Sequence, residues 1–304
     1  MVQDFVFWIM KNSKNYIADK NLLQRNKMMT GKVDLHTHTT YSDGFYSPEE
    51  LITKAKQASI DVIGISDHDN IAGILEAIEI GKRIGVEVIP GLEISSDIKD
   101  REIHILAYFF EPENSELERY LSFFREERFK RAIRIVNKLR SIGFDISIDD
   151  VMERAKNSAV GRPHIAQSLV EKGLISSYYE AFNKYIGNGC PAYEKKVHLS
   201  PQSAFKIIND AGGLSFIAHP GFMTESLLKE LITAGVDGIE VIHPSHTPQL
   251  IRFYKGIVNE YFLLESGGSD FHGGKREDEN NLGKYFVSTA VVEAMRQRLL
   301  KNSA

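Results

Sequence analysis

A single cysteine, Cys190, is all that the 304 residues contain, so no disulfide can form within the chain and a reducing compartment, the cytoplasm, is the expected setting. Long apolar runs are missing too. None approaches the 18 residues that a membrane-spanning helix needs, and no membrane association is expected. Positive charge is not in excess: 37 Lys and Arg stand against 41 Asp and Glu, a formal net charge of −4. Broad electrostatic coating of duplex nucleic acid or an anionic membrane is therefore not expected, and an anionic substrate must be drawn by bound cations or a few local Lys and Arg. Internal repeats and low-complexity tracts are absent. So is a motif that would activate a protein nucleophile, since Cys190 sits in Gly187-Asn188-Gly189-Cys190-Pro191 with nothing beside it to ionise a thiol.

What remains is an ordinary globular composition, 42% hydrophobic and 26% charged, long enough for one large domain with an insertion. Residues 1–31 read as a leader, either flexible or the product of an upstream start codon. Phe5 to Met10 is apolar but short, and Met28 and Met29 stand just before the first motif. From Val33 onward, β-rich runs alternate with helical stretches: Val33–Leu35, Val62–Ser66, Val86–Leu92, Ile103–Tyr108, Leu214–Ala218, Gly238–Ile242 and Phe262–Ser266. Seven runs in this rhythm predict a parallel, barrel-like sheet. Ser47-Pro48-Glu49-Glu50 is a helix start with a capping box, Ser200-Pro201 repeats the Ser-Pro start, and Gly212-Gly213 and Gly235 stop the helices that follow. Between Pro112 and Tyr193 the rhythm breaks. A charged helix from Glu116 to Arg140 and shorter helical pieces suggest an inserted helical subdomain, residues 112–191, between barrel segments 32–111 and 192–304. Arg125, Arg128, Lys130, Arg131 and Arg134 read as its solvated face, with pocket-facing or nucleic-acid contacts as the alternative.

The chemistry concentrates at predicted strand ends. Asp34-Leu35-His36-Thr37-His38 sets two imidazoles two residues apart, on one face of a strand, as two ligands of one metal require. Four more runs finish in metal-ligand residues: Ser66-Asp67-His68-Asp69, Gly91-Leu92-Glu93, Ala218-His219-Pro220 and Ser269-Asp270-Phe271-His272, while His104 lies inside a strand over 102–108. In a parallel barrel such ends converge on one mouth. Six histidines with a few carboxylates suit Mn²⁺, Fe²⁺ or Zn²⁺ better than Mg²⁺ or Ca²⁺ alone.

These motifs, with Ser42-Asp43-Gly44 and Gly268-Ser269-Asp270-Phe271-His272, resemble the PHP (polymerase and histidinol phosphatase) family from Val33 to about Val287. The resemblance implies an α/β fold, a distorted (β/α)7 TIM-like barrel, holding two to three divalent metals. It implies a first metal on His36, His38, Glu93 as bridge and Asp270, and a second on Glu93, His104 and His219. The third would take Asp43, His68 and His272, Asp43 standing where some relatives have histidine. Asp67 and Asp69 flank a ligand and are expected to orient histidines from behind.

Outside the metal set, Gly161-Arg162-Pro163-His164, Lys196 and the run Gly238 to His246, with His243 and His246, resemble the TrpH-like branch of the family, which acts on nucleoside 3′,5′-bisphosphates and on 5′ ends of short RNA. The implied function is phosphoester hydrolysis by a metal-activated hydroxide on a small nucleotide or a short nucleic-acid end, with Glu93, Asp270 and His246 in catalytic roles. His246 would supply the leaving-group proton. Arg162, His164, Lys196, His243 and His246 would bind substrate, under a lid formed by the insert. Histidinol phosphate hydrolysis and a non-catalytic, metal-stabilised binding module are the competing readings. His198 is taken as surface.

Overall fold

The computed structural model describes residues 31–99, 101–155, 158–197, 199–273 and 277–302; the expected leader and His198 lie outside them. Eight strands form one sheet in the order β7-β6-β5-β4-β3-β2-β1-β8. They are β1 (Lys32–Thr37), β2 (Ile60–Ile65), β3 (Glu87–Ile98), β4 (Arg101–Tyr108), β5 (Leu214–Ile217), β6 (Gly238–Ile242), β7 (Leu264–Gly267) and β8 (Val287–Ser288). Around them lie α1 (Pro48–Gln57), α2 (Ile74–Ile84), α7 (Pro201–Asp210), α8 (Glu225–Thr233), α9 (Pro248–Glu260) and α10 (Thr289–Asn302). This is a distorted TIM-like barrel.

The helix signals act as expected. Ser47 Oγ accepts from Glu50 N at 3.4 Å while Glu50 Oε2 accepts from Ser47 N at 2.9 Å, closing the capping box of α1. Ser200 Oγ accepts from Ser203 N at 3.2 Å to open α7. Gly212 and Gly235, both at positive φ, follow the ends of α7 and α8, a backbone region in which a Cβ is unfavourable.

The expectation of a parallel sheet holds for β1-β2-β3 and β5-β6-β7 only. β4 runs antiparallel to both β3 and β5, and the short β8 is antiparallel to β1. The reason is chain length. β3 continues to Ile98 and β4 begins at Arg101, a connection that permits a hairpin but not a crossover. Strand β1 also meets the chain beyond β7, where His38 N donates to Phe271 O at 3.0 Å and Asp34 Oδ1 accepts from Ser269 N at 2.9 Å.

Between β4 and β5 the chain forms α3 (Ser115–Ser141), α4 (Ile148–Ala155), α5 (Arg162–Glu171), α6 (Tyr178–Ala181) and a π-helical turn, Phe182–Ile186. These helices bury their own apolar cluster, which includes Ile135, Leu139, Val151, Ile165, Leu169 and Ile186, apart from the clusters that pack the barrel. Among the described residues no helix is long and apolar enough to cross a membrane.

Gly268 shows how tightly the barrel is drawn beneath its mouth. A Cβ there would lie 2.4 Å from His36 N and 2.6 Å from Asp34 Oδ1. Gly268→Ala is expected to cost about 1–3 kcal/mol by overpacking, seen as a lower urea midpoint; an unchanged midpoint would show that β1 and β7 part freely.

Candidate metal centre

One carboxylate organises the mouth. Glu93 is 1% exposed and offers each oxygen to a different set of imidazoles. Its Oε2 lies 3.3 Å from His36 Nε2, 3.3 Å from His38 Nε2 and 3.1 Å from His68 Nδ1. Its Oε1 lies 2.7 Å from His104 Nδ1 and 3.0 Å from His219 Nε2. Asp270 Oδ1 completes the first group, 3.3 Å from His36 Nε2 and 3.2 Å from His38 Nε2. Asp43 Oδ1 faces His272 Nε2 at 3.4 Å and His68 Nε2 at 3.9 Å. All nine expected ligand residues therefore meet in one place.

Each arrives by a local device. His36 alternates with the buried Val33 and Leu35 in β1, and His38 follows its end; His219, Asp270 and His272 follow the ends of β5 and β7. Glu93 lies within β3 and not at its end, because β3 runs on into the hairpin. The reversed β4 brings its N-terminal half, with His104, to the mouth where the parallel strands end. Asp69, His219 and Asp270 hold positive φ, a backbone strain of about 1–3 kcal/mol each; at His219 the amide donates to Glu240 Oε2 at 2.6 Å.

The electrostatics of the cluster favours a cation. Burial alone would depress the His36 pKa, yet Glu240, Asp270 and Glu93 outweigh it and raise it well above the ordinary value. Burial likewise opposes protonation of His104, but Glu93 and Glu102 lift it to about 9. Burial pulls His68 down to about 3 against the attraction of Glu93 and Asp43, and burial and the charge of His272 lower His38. Glu93 and Asp270 are held well below the usual carboxylate range, their burial being outweighed by the surrounding imidazoles. Nevertheless the buried His38 Nε2 and His68 Nδ1 have no hydrogen bond, although carboxylate oxygens stand beside them. Unprotonated imidazole nitrogens crowded against ionised carboxylates repel unless a cation lies between them. The donor atoms of His36, His38 and Asp270 lie within 4.8 Å of one another, as do those of His68, Glu93 and His104 and those of His38, Asp43, His68 and His272. These residues suit a metal ion.

Comparison with known proteins gives this centre its context. Residues 34–186 match the family model described as PHP domain. A 5′-3′ exoribonuclease of Haemophilus influenzae is 36% identical over 80% of this chain and 91% of its own length. A 3′,5′-nucleoside bisphosphate phosphatase of Chromobacterium violaceum is 31% identical over 79% of this chain and 87% of its own. A crystal structure from Bifidobacterium adolescentis, described as a candidate metal-dependent phosphoesterase, superposes with a TM-score of 0.82 at 31% identity, covering 88% of this chain and 96% of that one. The chain belongs to the PHP domain family.

Beside the PHP centre lies a cavity of about 250 Å³, walled on one side by Asp43, His68 and His104 and on the other by the helices that follow β4. Arg162 and Lys196 line it, 3.7 and 3.4 Å from the carboxylate of Glu102, and the Arg162 guanidinium lies over the Phe182 ring. His164 lines it as well, but its Nδ1 accepts from Gly161 N at 3.1 Å, so part of its hydrogen-bonding capacity is spent on the start of α5.

Three expectations need correction. His246 was expected at the mouth as a proton donor, yet its Nδ1 donates to Val241 O at 2.9 Å, its Nε2 accepts from Gly221 N at 3.3 Å, and its ring stacks on Tyr254. Both nitrogens are committed to backbone, and the cavity wall does not include it. His243 does not line the cavity either: its Nδ1 accepts from Ser245 N, which leaves Nε2–H toward Asp270 Oδ2 at 3.4 Å. Its place is behind Asp270. Arg128 and Arg131 are not a solvated face. Their side chains are largely buried and line the cavity, Arg128 Nε donating to Asp69 Oδ2 at 2.6 Å.

Asp67 and Asp69 act on the imidazoles through the loops that carry them, Ser42 Oγ standing 3.5 Å from His38 Nδ1. Asp67 Oδ1 accepts from Thr39 N at 2.8 Å and from Ser42 Oγ at 2.5 Å, pinning the turn after His38; Asp69 Oδ1 accepts from Ser95 N at 3.3 Å.

Sequence reasoning missed Glu240 and Glu102 as site residues and kept Arg128 and Arg131 there only as the less favoured reading. The arginines were within reach: Leu117, Leu121, Phe124, Arg128, Arg131 and Ile135 follow helical spacing, so both lie on the inward stripe of α3. Glu240 is fully buried, and its Oε1 accepts from His36 Nδ1 at 2.9 Å, which turns Nε2 toward the centre of the PHP site. Glu240→Gln is expected to weaken metal binding about 10–100-fold without unfolding the barrel. Competition against a chromophoric chelator, with circular dichroism as control, measures it; native affinity would remove Glu240 from the centre.

Proposed function

We propose that this chain is a metal-dependent phosphoesterase that removes one phosphate from a small nucleotide bearing a second one, such as a nucleoside 3′,5′-bisphosphate, or acts on the 5′-phosphorylated end of a short RNA. The observation that carries this reading is the adjacency of the nine-residue centre to a cavity lined by Arg128, Arg131, Arg162 and Lys196. A monophosphate without further anionic character has no use for four cations on the far wall.

His36, His38, Glu93 and Asp270 would hold one divalent ion, Glu93, His104 and His219 a second, and Asp43, His68 and His272 a third, with Mn²⁺, Fe²⁺ or Zn²⁺ suited to so many imidazoles. When bound, such ions supply Lewis acidity, lowering the pKa of water toward neutrality and balancing charge on phosphoryl oxygens. The protein's part is orientation. Glu240 fixes the tautomer of His36, Asp67 and Asp69 hold the loops on either side of His38 and His68, and the helical insert covers the cavity as a lid. Arg162, with its planar fork, grips the phosphate that is not cleaved.

Three outcomes follow. Phosphate release from adenosine 3′,5′-bisphosphate should vanish in excess chelator and return with Mn²⁺; full turnover in protein of verified zero metal content would end the reading. Asp270→Asn should cut turnover at least tenfold with the fold unchanged, since it takes a charged oxygen from beside His36 and His38. Arg162→Ala should raise the KM for the bisphosphate by about 1.5–3 kcal/mol, roughly 10–150-fold, through loss of a charge-assisted pair, and affect p-nitrophenyl phosphate far less. Equal losses on both substrates would place Arg162 at the reacting phosphate or in the fold. Assayed beside them, histidinol phosphate should be the poorer substrate.

A further inference from the structure

Arg128 belongs to two places. Its Nε and Nη2 grip Asp69 Oδ2, and Nη2 also donates to Ser95 Oγ at 3.1 Å. The same guanidinium forms part of the cavity wall with Arg131, Arg162 and Lys196. Asp69 is the residue after His68 and is 2% exposed; its amide donates to Glu93 O at 3.1 Å, and Glu93 N donates to Asp67 O at 3.2 Å. Through one buried ion pair, α3 thus holds both the loop that aims His68 and the strand that carries Glu93.

The other side of Arg128 is electrostatically incomplete. Burial and the repulsion of Arg128 pull the Lys196 ammonium down to about 8. Burial and repulsion from Arg162 and Arg128 bring Arg131 to about 10. The cavity-lining carboxylates are Asp43 and Glu102, and Glu102 is shared between Arg162 and Lys196, so the four cations outnumber them.

We propose that this cavity is an activating subsite for a non-reacting oxydianion, coupled to the metal centre through the Arg128–Asp69 pair, so that filling it raises turnover as well as affinity. The proposal rests on the phosphoesterase reading above. An anion against the cavity edge of the guanidinium fixes Arg128. A fixed Arg128 fixes Asp69, and with it the His68 loop, before the reacting phosphate is attacked. Binding energy from the remote group is then expressed in the transition state and not only in the ground state.

Sulfate is the probe. Added to metal-free protein, it should raise the melting temperature saturably. Added at constant ionic strength to Mn²⁺-loaded enzyme turning over p-nitrophenyl phosphate, it should raise kcat roughly five-fold or more, the lower end of couplings between distinct sites. Asp69→Asn keeps the four cations and should keep the sulfate-induced rise in melting temperature while losing the stimulation. Arg128→Lys keeps a cation but not the fork, and should behave in the same way if Asp69→Asn fails to fold. Sulfate that only inhibits, sulfate that leaves the melting temperature unmoved, or full stimulation in either variant overturns the coupling. If no phosphate ester is hydrolysed with Mn²⁺, the phosphoesterase reading falls and the coupling with it. Hydrolysis without stimulation overturns the coupling alone.

Discussion

Five imidazoles converge on the carboxylate of Glu93, and much of the local architecture can be traced to keeping them there. The carboxylate is buried and ionised against the cost of desolvation because His68, His104 and His36 surround it. Those rings are in turn aimed by groups with no role in the chemistry itself: Glu240 behind His36, Ser42 and Asp67 at the turn after His38, Asp69 after His68. Such a cluster has an unfavourable balance of lone pairs when empty and a favourable one around cations. The surrounding fold must supply enough stability to hold it in either state.

The reversed strand β4 is the geometric price of that arrangement. A regular parallel barrel would send the first half of β4 to the opposite face, away from the mouth. Turning β4 through a short hairpin brings His104 opposite Ser95 and within reach of Glu93. The same reversal sends the chain out after Tyr108, from where the helices α3 to α6 fold back to make the cationic wall of the cavity. The cluster around Glu93 and the cationic wall therefore share one structural cause, and α3 ties them together at Asp69.

Much of this could be read from the order of residues alone. Period-two alternation with metal-binding residue types at or near its ends located the strands and most of the centre, the resemblance to the PHP family added Asp43 and the grouping of the nine, and Ser-Pro starts and glycine stops located the helices, because these signals are local. Strand direction was not legible. Whether β4 lies parallel or antiparallel depends on how far β3 runs before the turn, and both choices satisfy the same alternation. Nor were the partners of buried charges. Arg128 and Arg131 resemble solvated residues of a charged helix until Asp69, more than fifty residues away, and the cavity are set beside them; His246 resembles a mouth residue until Val241 O and Gly221 N take its two nitrogens. Chain order determines which side chains can act; which of them face a common point, and which are spent on backbone, is decided only when distant segments pack, since hydrogen bonds and ion pairs are made across space.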